Sequence, residues 1–243
     1  MRVLVVSDLH GNLEALRAVV AAEPRVDRVL CLGDLVDYGP RPDEVATWVR
    51  EHALATVRGN HDNAVAFGED CRSAPLFRRL SVESRRKTTP MLSAENLTFL
   101  RSLPTRTSLV LDGVRLELLH AAPGDPLFQY LPASHADAWR EAARGIDADL
   151  ILVGHTHLPV ILDLGDKRMV NPGSVGLPRD GDPRACYAVL ENGAPVLKRV
   201  AYDVDQTISA LRTWGLPDDV ARSLEDIYRG GEPTSPFVPS TSR

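Results

Sequence analysis

Short apolar runs that end in clusters of polar side chains are the feature that most constrains the fold of this chain. Each run has the length of a buried strand. The runs are Val3–Val6, Val29–Leu32, Ala55–Val57, Val114–Leu119 and Leu150–Val153. The clusters that follow them are Ser7–Asn12, Gly33–Asp37, Gly59–Asp62, the single residue His120, and Gly154–His157. Parallel strands that end at one edge place such residues around a common crevice, so the sequence predicts an α/β fold with one polar site.

The spacing of the polar residues predicts a site for divalent transition metals. Asp8 and His10 alternate on one extended segment, so their side chains can converge where the backbone bends after the strand. His155 and His157 have the same spacing. The carboxylate of Asp34 has two oxygens and could bridge two ions about 3.5–4 Å apart, the separation common in two-metal hydrolases. Carboxylate, imidazole and amide donors together suit Mn, Fe, Co, Ni or Zn.

An alternative is that the acidic turns only cap helices. Asp8 and Asn12 precede a helical apolar pattern over Leu13–Ala22 and could bind its first amide groups. Capping accounts for Asn12, but it gives no reason for histidines at several strand ends. Only His52 and His135 lie outside the clusters, which favours a metal site for the set as a whole.

Composition is that of one large globular domain and excludes several classes of partner. The chain has 243 residues, of which 44% are hydrophobic and 25% charged. Its formal net charge of −5 argues against non-specific binding to nucleic acid or to a membrane surface. No apolar stretch is long enough to span a bilayer, and a strand begins without a charged leader, so we expect a cytoplasmic protein. Cys31, Cys71 and Cys186 lack metal-binding spacing and agree with free thiols in a reducing compartment.

The order of predicted elements divides the chain into two halves. Strands alternate with the helices Leu13–Ala22 and Pro42–Ala53 through about residue 62, which predicts parallel strands. Residues 64–103 are predicted to be a helical insert. After the insert, the strand Thr105–Leu111 forms a hairpin with Val114–Leu119 through Asp112-Gly113, a sequence suited to a type I′ turn.

The remaining elements are predicted to be mainly antiparallel strands followed by helix. A helix over Ser134–Arg144 leads into the strand Leu150–Val153. The predicted antiparallel strands are Val160–Leu164, Arg168–Asn171, Ala185–Leu190 and Val196–Tyr202, the last two joined by Asn192-Gly193. A helical segment over Val204–Arg229 would complete a single domain of residues 1–229, and residues 230–243, rich in Gly, Pro and Ser, are predicted to be a disordered tail.

As an ordered set, these motifs resemble the signature of the calcineurin-like metallophosphoesterase superfamily. That signature is Asp-x-His, Gly-Asp, Gly-Asn-His-Asp/Glu, a lone His and Gly-His-x-His. The similarity is greatest to the small bacterial phosphodiesterases, a branch that also resembles the symmetrical diadenosine tetraphosphatases. It extends to Gly39-Pro40, to residues 120–126 and to residues 171–184, and it covers residue 1 to about residue 203.

The resemblance implies a fold and a set of ligands. The fold is an αββα sandwich of two mixed β-sheets flanked by helices. The residues implied to hold a first ion are Asp8, His10, Asp34 and His157. The residues implied to hold a second ion are Asp34, Asn60, His120 and His155. Asn60 and His61 are also implied to contact the substrate.

The resemblance further implies catalytic roles for His61 and Asp37. His61 corresponds to the histidine that protonates the leaving oxygen or stabilises charge on it. Asp37 corresponds to an acid that orients this histidine in related phosphatases. Asp62 is an alternative orienting residue, although a solvated turn residue is the simpler interpretation of it.

Two departures from the family pattern bear on the substrate. Related serine/threonine protein phosphatases have an arginine where this chain has Tyr38, so one guanidinium that would bind phosphate is missing, which argues against protein phosphatase activity. The bacterial branch often has Gly and Ser after the lone histidine, where this chain has Ala121 and Ala122. Neither position is a ligand, so we expect only a small change in loop shape or polarity.

The sequence leaves the role of several basic residues open. Those of the insert are Arg72, Arg78, Arg79, Arg85, Arg86 and Lys87. They either face the crevice and bind phosphate oxygens or form a solvated helix face, which is the commoner arrangement. Arg179 and Arg184, in a loop rich in Pro and Gly, raise the same question, with loop packing or a subunit contact as the alternative.

These features predict a binuclear metal-dependent phosphoesterase. A phosphodiesterase that uses a metal-activated hydroxide is the leading hypothesis. Phosphomonoesterase or dinucleoside polyphosphate hydrolase activity is the alternative, and a non-catalytic scaffold, such as the retromer subunit of this superfamily, is a third. The expected cofactors are two divalent ions, with Mn first and Fe, Ni, Co or Zn next. The expected partner is a small phosphoester, with nucleotides included; no membrane and no non-specific nucleic-acid binding is expected, and a homo-oligomer is left open.

Overall fold

Two five-stranded sheets pack face to face in the computed structural model, which describes residues 1–231. The strands are β1 Arg2–Val6, β2 Arg28–Cys31, β3 Ala55–Thr56, β4 Arg106–Leu111, β5 Val114–Leu119, β6 Leu150–Leu152, β7 Val160–Asp163, β8 Arg168–Asn171, β9 Ala185–Glu191 and β10 Ala194–Val200. Their order is β10-β9-β1-β2-β3 in the first sheet and β4-β5-β6-β8-β7 in the second. With helices flanking both sheets, this confirms the predicted αββα sandwich.

The helices cover the outer faces of the sheets and form the insert. They are α1 Leu13–Ala22, α2 Pro42–His52, α3 Asn60–Phe67, α4 Pro75–Thr88, α5 Ala94–Ser102, α6 Ala136–Ala142, α7 Val204–Arg212 and α8 Asp218–Tyr228. The insert is helical as predicted, with a 3₁₀ turn over Thr89–Met91 between α4 and α5. No helix among the described residues is long and apolar enough to cross a bilayer.

The central strand β1 is buried on both faces, which explains its unbroken apolar sequence. Val3 and Val5 lie in the core between the sheets, whereas Leu4 and Val6 lie in the core beneath the helices of the first sheet. The strand pairs in parallel with β2, and β2 pairs in parallel with β3. The residues from the second sheet that meet this inner core are Leu116, Leu118, Leu150, Leu152 and Val170. Three strands of the first sheet therefore end at one edge, where the polar motifs follow them.

The second sheet differs from the prediction in one strand. Arg168–Asn171 was expected among antiparallel strands, but β8 runs parallel to β6 and antiparallel only to β7. The local hairpin between β7 and β8 is antiparallel, as its short turn requires. The pattern of residues does not say which strand of that hairpin lies beside β6. Tertiary packing places β7 at the edge of the sheet and β8 inside it.

Two predicted helices have different bounds. The segment predicted as one helix, Val204–Arg229, forms α7 and α8, because Gly215 has a left-handed φ of 62° and Pro217 directly precedes α8. The helix predicted over Ser134–Arg144 shortens to α6. Of the predicted disordered tail, only Gly230 and Gly231 are described; the rest, residues 232–243, lies outside the described residues. The single-domain boundary stays a prediction.

Candidate metal centre and its cleft

The polar motifs meet beyond the ends of β1, β2, β5 and β6. The main chain of the first two motifs continues the pairing of their strands: Asp8 N–H donates to the Gly33 carbonyl at 3.0 Å, and His10 N–H donates to the Asp34 carbonyl at 2.9 Å. Gly154 N–H donates to the His120 carbonyl at 2.8 Å in the other sheet. The first motif is thus held in register with the second, and His120 with the Gly154 motif. The face-to-face packing of the two sheets brings these two pairs of motifs together at one edge.

A first group of donor atoms is formed by Asp8, His10 and His157, all buried and within 4.8 Å of one another. The Nε2 atoms of His10 and His157 are only 3.3 Å apart. Asp8 Oδ1 lies 3.2 Å from His157 Nε2 and accepts no hydrogen bond from any described residue. Asp34 Oδ2 lies 3.8 Å from His10 Nε2 and, with Asp8 and His120, also belongs to a second close set of donor atoms.

A second group surrounds Asp34 and Asn60. The Asn60 amide nitrogen donates to the Cys71 carbonyl at 2.7 Å, which directs its oxygen into the site. That oxygen lies 3.1 Å from His120 Nε2 and 3.1 Å from His155 Nδ1. His120 Nε2 also lies 3.2 Å from Asp34 Oδ2. Asp34 therefore lies between the two groups, as a bridging carboxylate would.

The orientation of the imidazoles fits the binding of cations. Three of them use Nδ1–H to donate to a backbone carbonyl, which directs Nε2 into the site. The pairs are His10 with Val36 at 2.8 Å, His120 with Leu32 at 2.7 Å, and His157 with Leu177 at 2.5 Å. The Nε2 atoms of His10 and His157, 3.3 Å apart beside the Asp8 oxygen that has no donor, are positioned so that a metal ion would satisfy them. The donor set of carboxylate, imidazole and amide suits the transition metals expected from the sequence.

Charges within the site shift the pKa values of its groups. Burial is the largest influence on His120 and would lower its pKa, but the charge and hydrogen bond of Asp34, with the charge of Asp8 and the Leu32 carbonyl, together raise that pKa to about 9. Burial, and then the charge of His120, lower the pKa of His155 to about 3. The pKa of Asp34 is held well below its usual value despite burial, because His120 and His61 lie beside it. A ligand imidazole must be neutral to bind a cation, so a metal would replace the proton of His120.

Among residues 1–231, most non-glycine residues with left-handed backbone are found at this site. Their φ values lie between 43 and 66°. They are Asp8, His10, Asp34, Asp37, Tyr38, Arg72, His155 and His157. Such conformations are costly outside glycine and persist only where the surrounding structure enforces them. This clustering at a polar cleft points to function rather than to folding.

His61 is hydrogen-bonded to Asp37, the acid that the resemblance implied would orient it. Its Nδ1–H donates to Asp37 Oδ2 at 2.8 Å, and its Nε2 lies near the hydroxyls of Ser73 at 3.3 Å and Tyr38 at 3.5 Å. Burial alone would lower the pKa of His61, but the charge of Asp34, the hydrogen bond to Asp37 and the charges of Cys71 and Asp37 together raise that pKa. A raised pKa favours an imidazolium that can give up a proton.

Asp37 also binds Arg85, a residue that the sequence did not distinguish from the other basic residues of the insert. The Nε and Nη2 atoms of Arg85 donate to Asp37 Oδ2 at 3.1 and 2.5 Å. Thr88 lies within 3.4 Å of the other carboxylate oxygen. Only the packing of α4 against Tyr38 and α8 reveals these contacts, because the sequence contains six basic candidates in the same segment.

Asp62 does not orient His61. Its carboxylate is fully buried and accepts three backbone N–H bonds, from Asp34 at 2.8 Å, Leu35 at 2.8 Å and Gly59 at 3.0 Å. It therefore joins the second and third motifs, and it is neither an orienting acid nor a solvated turn residue. Burial, with the nearby charge of Asp34, raises its pKa to about 6.

The helix-cap alternative is correct for Asn12 alone. The Asn12 side chain accepts a bond from Ala15 N–H at 3.1 Å and donates to the Gly176 carbonyl at 2.9 Å. Asp8 accepts no bond from α1. The loop that contains Gly176 supports the first motif in turn, since Ser174 Oγ donates to the Asp8 carbonyl at 2.7 Å.

The donor groups open into a cleft of about 280 Å³. Two basic residues line it, Arg72 and Arg179, each stacked on an aromatic ring: Arg72 on Phe128 at 4.1 Å and Arg179 on Phe77 at 3.8 Å from guanidinium carbon to ring centre. Tyr130 also lines the cleft. The sequence contained no specific signal for these aromatic residues beyond their position in the loop after the lone histidine and in the insert.

The other basic residues named from the sequence have different partners. Arg78 pairs with Asp70, Arg79 with Asp219 and Arg86 with Glu83, all at the surface. Arg184 pairs with Asp182 at 2.6 Å and is exposed. The solvated face is therefore the correct interpretation for these residues, and the crevice for Arg72 and Arg179.

Comparison with known proteins shows similarity along most of the chain. Residues 1–193 match the family described as the calcineurin-like phosphoesterase superfamily domain. An uncharacterized protein of Methanocaldococcus jannaschii, MJ0912, is 32% identical in an alignment of 242 positions that covers 91% of this chain and 96% of that protein. The phosphodiesterase YfcE of Escherichia coli K12 is 31% identical in an alignment of 222 positions that covers 86% of this chain and 96% of YfcE. A metallophosphoesterase structure from Sphaerobacter thermophilus has a TM-score of 0.78 at 36% identity and covers 92% of this chain and 98% of its own.

Proposed function

We propose that this chain, which belongs to the calcineurin-like phosphoesterase superfamily, is a metal-dependent phosphodiesterase. Membership confirms the family resemblance of the motifs and makes the protein a phosphoesterase of the hydrolase class. The similarity to YfcE, a protein named as a phosphodiesterase, supports cleavage of diesters within that class. The proposed substrate is a small phosphodiester, with nucleotides as the leading group, in the cytoplasm.

The observation that carries the proposal is a pair of largely apolar clefts beside the metal cleft. One, of about 220 Å³, adjoins His155 and is lined by Leu131, Trp139 and Val153. The other, of about 570 Å³, is lined by residues that include Phe77, Leu158 and Ile227. Tyr130 borders all three. A phosphodiester has two organic groups and a monoester has one, so two flanking clefts fit the diester.

The residues proposed as metal ligands are those predicted from the sequence. The set for the first ion is Asp8, His10, Asp34 and His157, and the set for the second is Asp34, Asn60, His120 and His155. When bound, two divalent ions would polarise the phosphate, stabilise its developing charge and make a water acidic enough to act as nucleophile at neutral pH. Mn is the proposed metal, with Fe, Ni, Co and Zn as alternatives.

The residues of the chain supply the proton for the leaving group. Asp37, which itself accepts two bonds from Arg85, binds the Nδ1 side of the His61 ring, so Nε2 is the nitrogen that can donate to the leaving oxygen. Tyr38 is fully buried against His10 and His61, with ring centres 4.8 and 4.9 Å apart, and occupies the position of the protein phosphatase arginine. The cleft thus lacks that guanidinium, which lowers the preference for a doubly charged monoester.

A test combines metal content with substrate preference. After reconstitution with Mn, elemental analysis should approach about two ions per chain. The reconstituted protein should hydrolyse bis-p-nitrophenyl phosphate faster than p-nitrophenyl phosphate. A metal content near one would contradict a binuclear centre. Faster cleavage of the monoester with several metals would favour a phosphatase, and metal binding without hydrolysis of either ester would favour a scaffold.

A further inference from the structure

We propose that Arg72 and Arg179 form an anion subsite that binds a second phosphoryl group of the substrate beside the one that is cleaved. The inference rests on the proposed function, because it assumes that the cleaved phosphate lies at the metal ligands. It narrows the substrate class to phosphodiesters that contain a diphosphate or longer phosphate chain, such as esters of nucleoside diphosphates.

Both guanidinium groups lie in the metal cleft and neither is neutralised by a carboxylate of the described residues. Arg72 and Arg179 line the cleft together with Asp34, Asn60 and His155. The Nε atom of Arg179 is buried and has no hydrogen-bond partner among those residues. An unsatisfied donor in a cleft is costly unless a ligand or water binds it, and phosphate oxygens are well suited to a guanidinium.

Aromatic stacking holds both groups in place from different parts of the chain. Arg72, after α3, stacks on Phe128, which belongs to the loop after β5. Arg179, after β8, stacks on Phe77 in α4. A stacked guanidinium loses little freedom on binding an anion and keeps its edge free for hydrogen bonds. Arg72 also has left-handed backbone, with φ of 54°, as do five of the seven proposed ligands.

The positive charge of the cleft, once ions are bound, would exceed the single negative charge of a simple phosphodiester. Two divalent ions would more than neutralise the carboxylates of Asp8 and Asp34, and the two arginines add further positive charge. A phosphodiester contributes a single negative charge at its phosphate. A second phosphoryl group supplies the additional oxygens and charge that the arginines can bind.

The position of Arg179 indicates where that second group lies. Arg179 lines both the metal cleft and the larger flanking cleft that contains Leu158 and Ile227. A phosphate chain that leaves the metal ligands and passes Arg179 would bring its organic group into that larger cleft. Tyr130, 60% exposed and at the border of the clefts, offers a ring face to a base.

The first experiment measures binding and needs no turnover. Calorimetry on Mn-reconstituted protein would compare α,β-methylene-ADP, which is not hydrolysed, with AMP. We expect the wild type to prefer the diphosphate by about 10- to 100-fold, the worth of charge-assisted hydrogen bonds. Arg72→Gln and Arg179→Gln should each remove most of this preference. Arg179→Lys should restore part of it, because the charge is kept.

The second experiment measures hydrolysis with one leaving group. The p-nitrophenyl esters of TMP and TDP differ by a single phosphoryl group. For either glutamine variant we expect kcat/KM for the TDP ester to fall by about 10- to 100-fold, mainly through KM, with little change for the TMP ester. Matched controls are Arg184→Gln, from the same loop as Arg179, and Arg78→Gln, from α4; both side chains are already paired with carboxylates.

The outcomes separate the subsite from the proposed function. An equal loss for both esters would place the arginines at the cleaved phosphate and overturn the subsite. No loss for either ester, or a wild type without preference for the diphosphate, would overturn it as well. A third outcome is that the wild type cleaves neither ester but still binds the diphosphate more tightly than AMP, and that the glutamine variants lose this preference. The proposed phosphodiesterase function would then fail, whereas the binding of a second phosphoryl group by Arg72 and Arg179 would be supported.

Discussion

Left-handed backbone at non-glycine residues occurs in two regions of the molecule that differ in what maintains it. In the hairpin turns, Asp112 and Asn192 have φ of 53 and 49°, and each is followed by a glycine with positive φ. Asp-Gly and Asn-Gly adopt this type I′ geometry readily by themselves. In the metal cleft, the residues concerned are mostly carboxylates and imidazoles, and their turns are held by partners far away in the sequence.

The cleft shows what such partners do. Asp62 binds the backbone of Asp34 and Leu35, and Ser174 binds the carbonyl of Asp8. These buried bonds enforce conformations that the residues would not adopt alone. The comparison shows that a hairpin turn tolerates substitutions as long as the two local residues still favour the type I′ geometry. A turn in the cleft tolerates change only if distant contacts survive.

The largest expected effect comes from removing the shared carboxylate charge of the cleft. In Asp34→Asn, the amide oxygen can still accept the bond from His61 N–H, which Asp34 Oδ1 accepts at 2.9 Å. We therefore expect a folded protein that has lost both ions and nearly all activity. Elemental analysis after reconstitution and bis-p-nitrophenyl phosphate assays would measure this.

The same change in a hairpin is the matched control. Asp112→Asn should keep both ions and full activity, because Asn is as well suited to the turn as Asp. His157→Ala should mainly weaken the first ion. Retention of two ions in Asp34→Asn would show that this carboxylate does not bridge them.

The next effect concerns the leaving group. His61→Ala should keep both ions while turnover falls by roughly 10²–10⁴-fold, the usual contribution of a positioned general acid. The loss should shrink for acidic leaving groups such as nitrophenol, which depart without a proton. Asp37→Asn should give a milder form of the same profile, because it disturbs only the orientation of His61.

The control for this series is the exposed His52, whose replacement by Ala should change neither metal content nor turnover. Loss of an ion in His61→Ala would make His61 a ligand. An equal loss of rate for every leaving group would make it a binding residue.

The smallest expected effect belongs to a hairpin, and a paired substitution sharpens the contrast. Gly33 and Gly113 both have left-handed φ, of 90 and 78°. A Cβ at Gly113 meets nothing within 4 Å, whereas one at Gly33 would lie 2.5 Å from Gly59 N. Gly113→Ala should lower the free energy of unfolding by about 1–2 kcal/mol. In Gly33→Ala the new Cβ would also overlap the Gly59 backbone, so the free energy of unfolding should fall by more than about 3 kcal/mol. Urea denaturation of both metal-free variants would measure the difference, and equal losses would contradict the comparison.

The strand-end motifs could be predicted from the sequence because each motif directly follows its strand. A short apolar run predicts a strand, parallel strands end together, and the first residues after each run must then meet. All seven proposed ligands could be named on this basis with the family signature, and the structure places them within two adjoining groups. The turns at Asp112 and Asn192 were predictable for the same reason, since each depends on two neighbouring residues.

Contacts between segments far apart in the chain were decided only by the tertiary structure. The position of β8 beside β6, the contact of Arg85 with Asp37, and the three backbone bonds of Asp62 belong to this class. The sequence contained several equivalent arginines, and it could not distinguish Arg72 and Arg179 in the cleft from Arg78 and Arg184 at the surface. Local patterns determine where a strand ends and which side chains follow it. Which distant side chain then reaches that end depends on how the sheets and helices pack, because packing alone sets those distances.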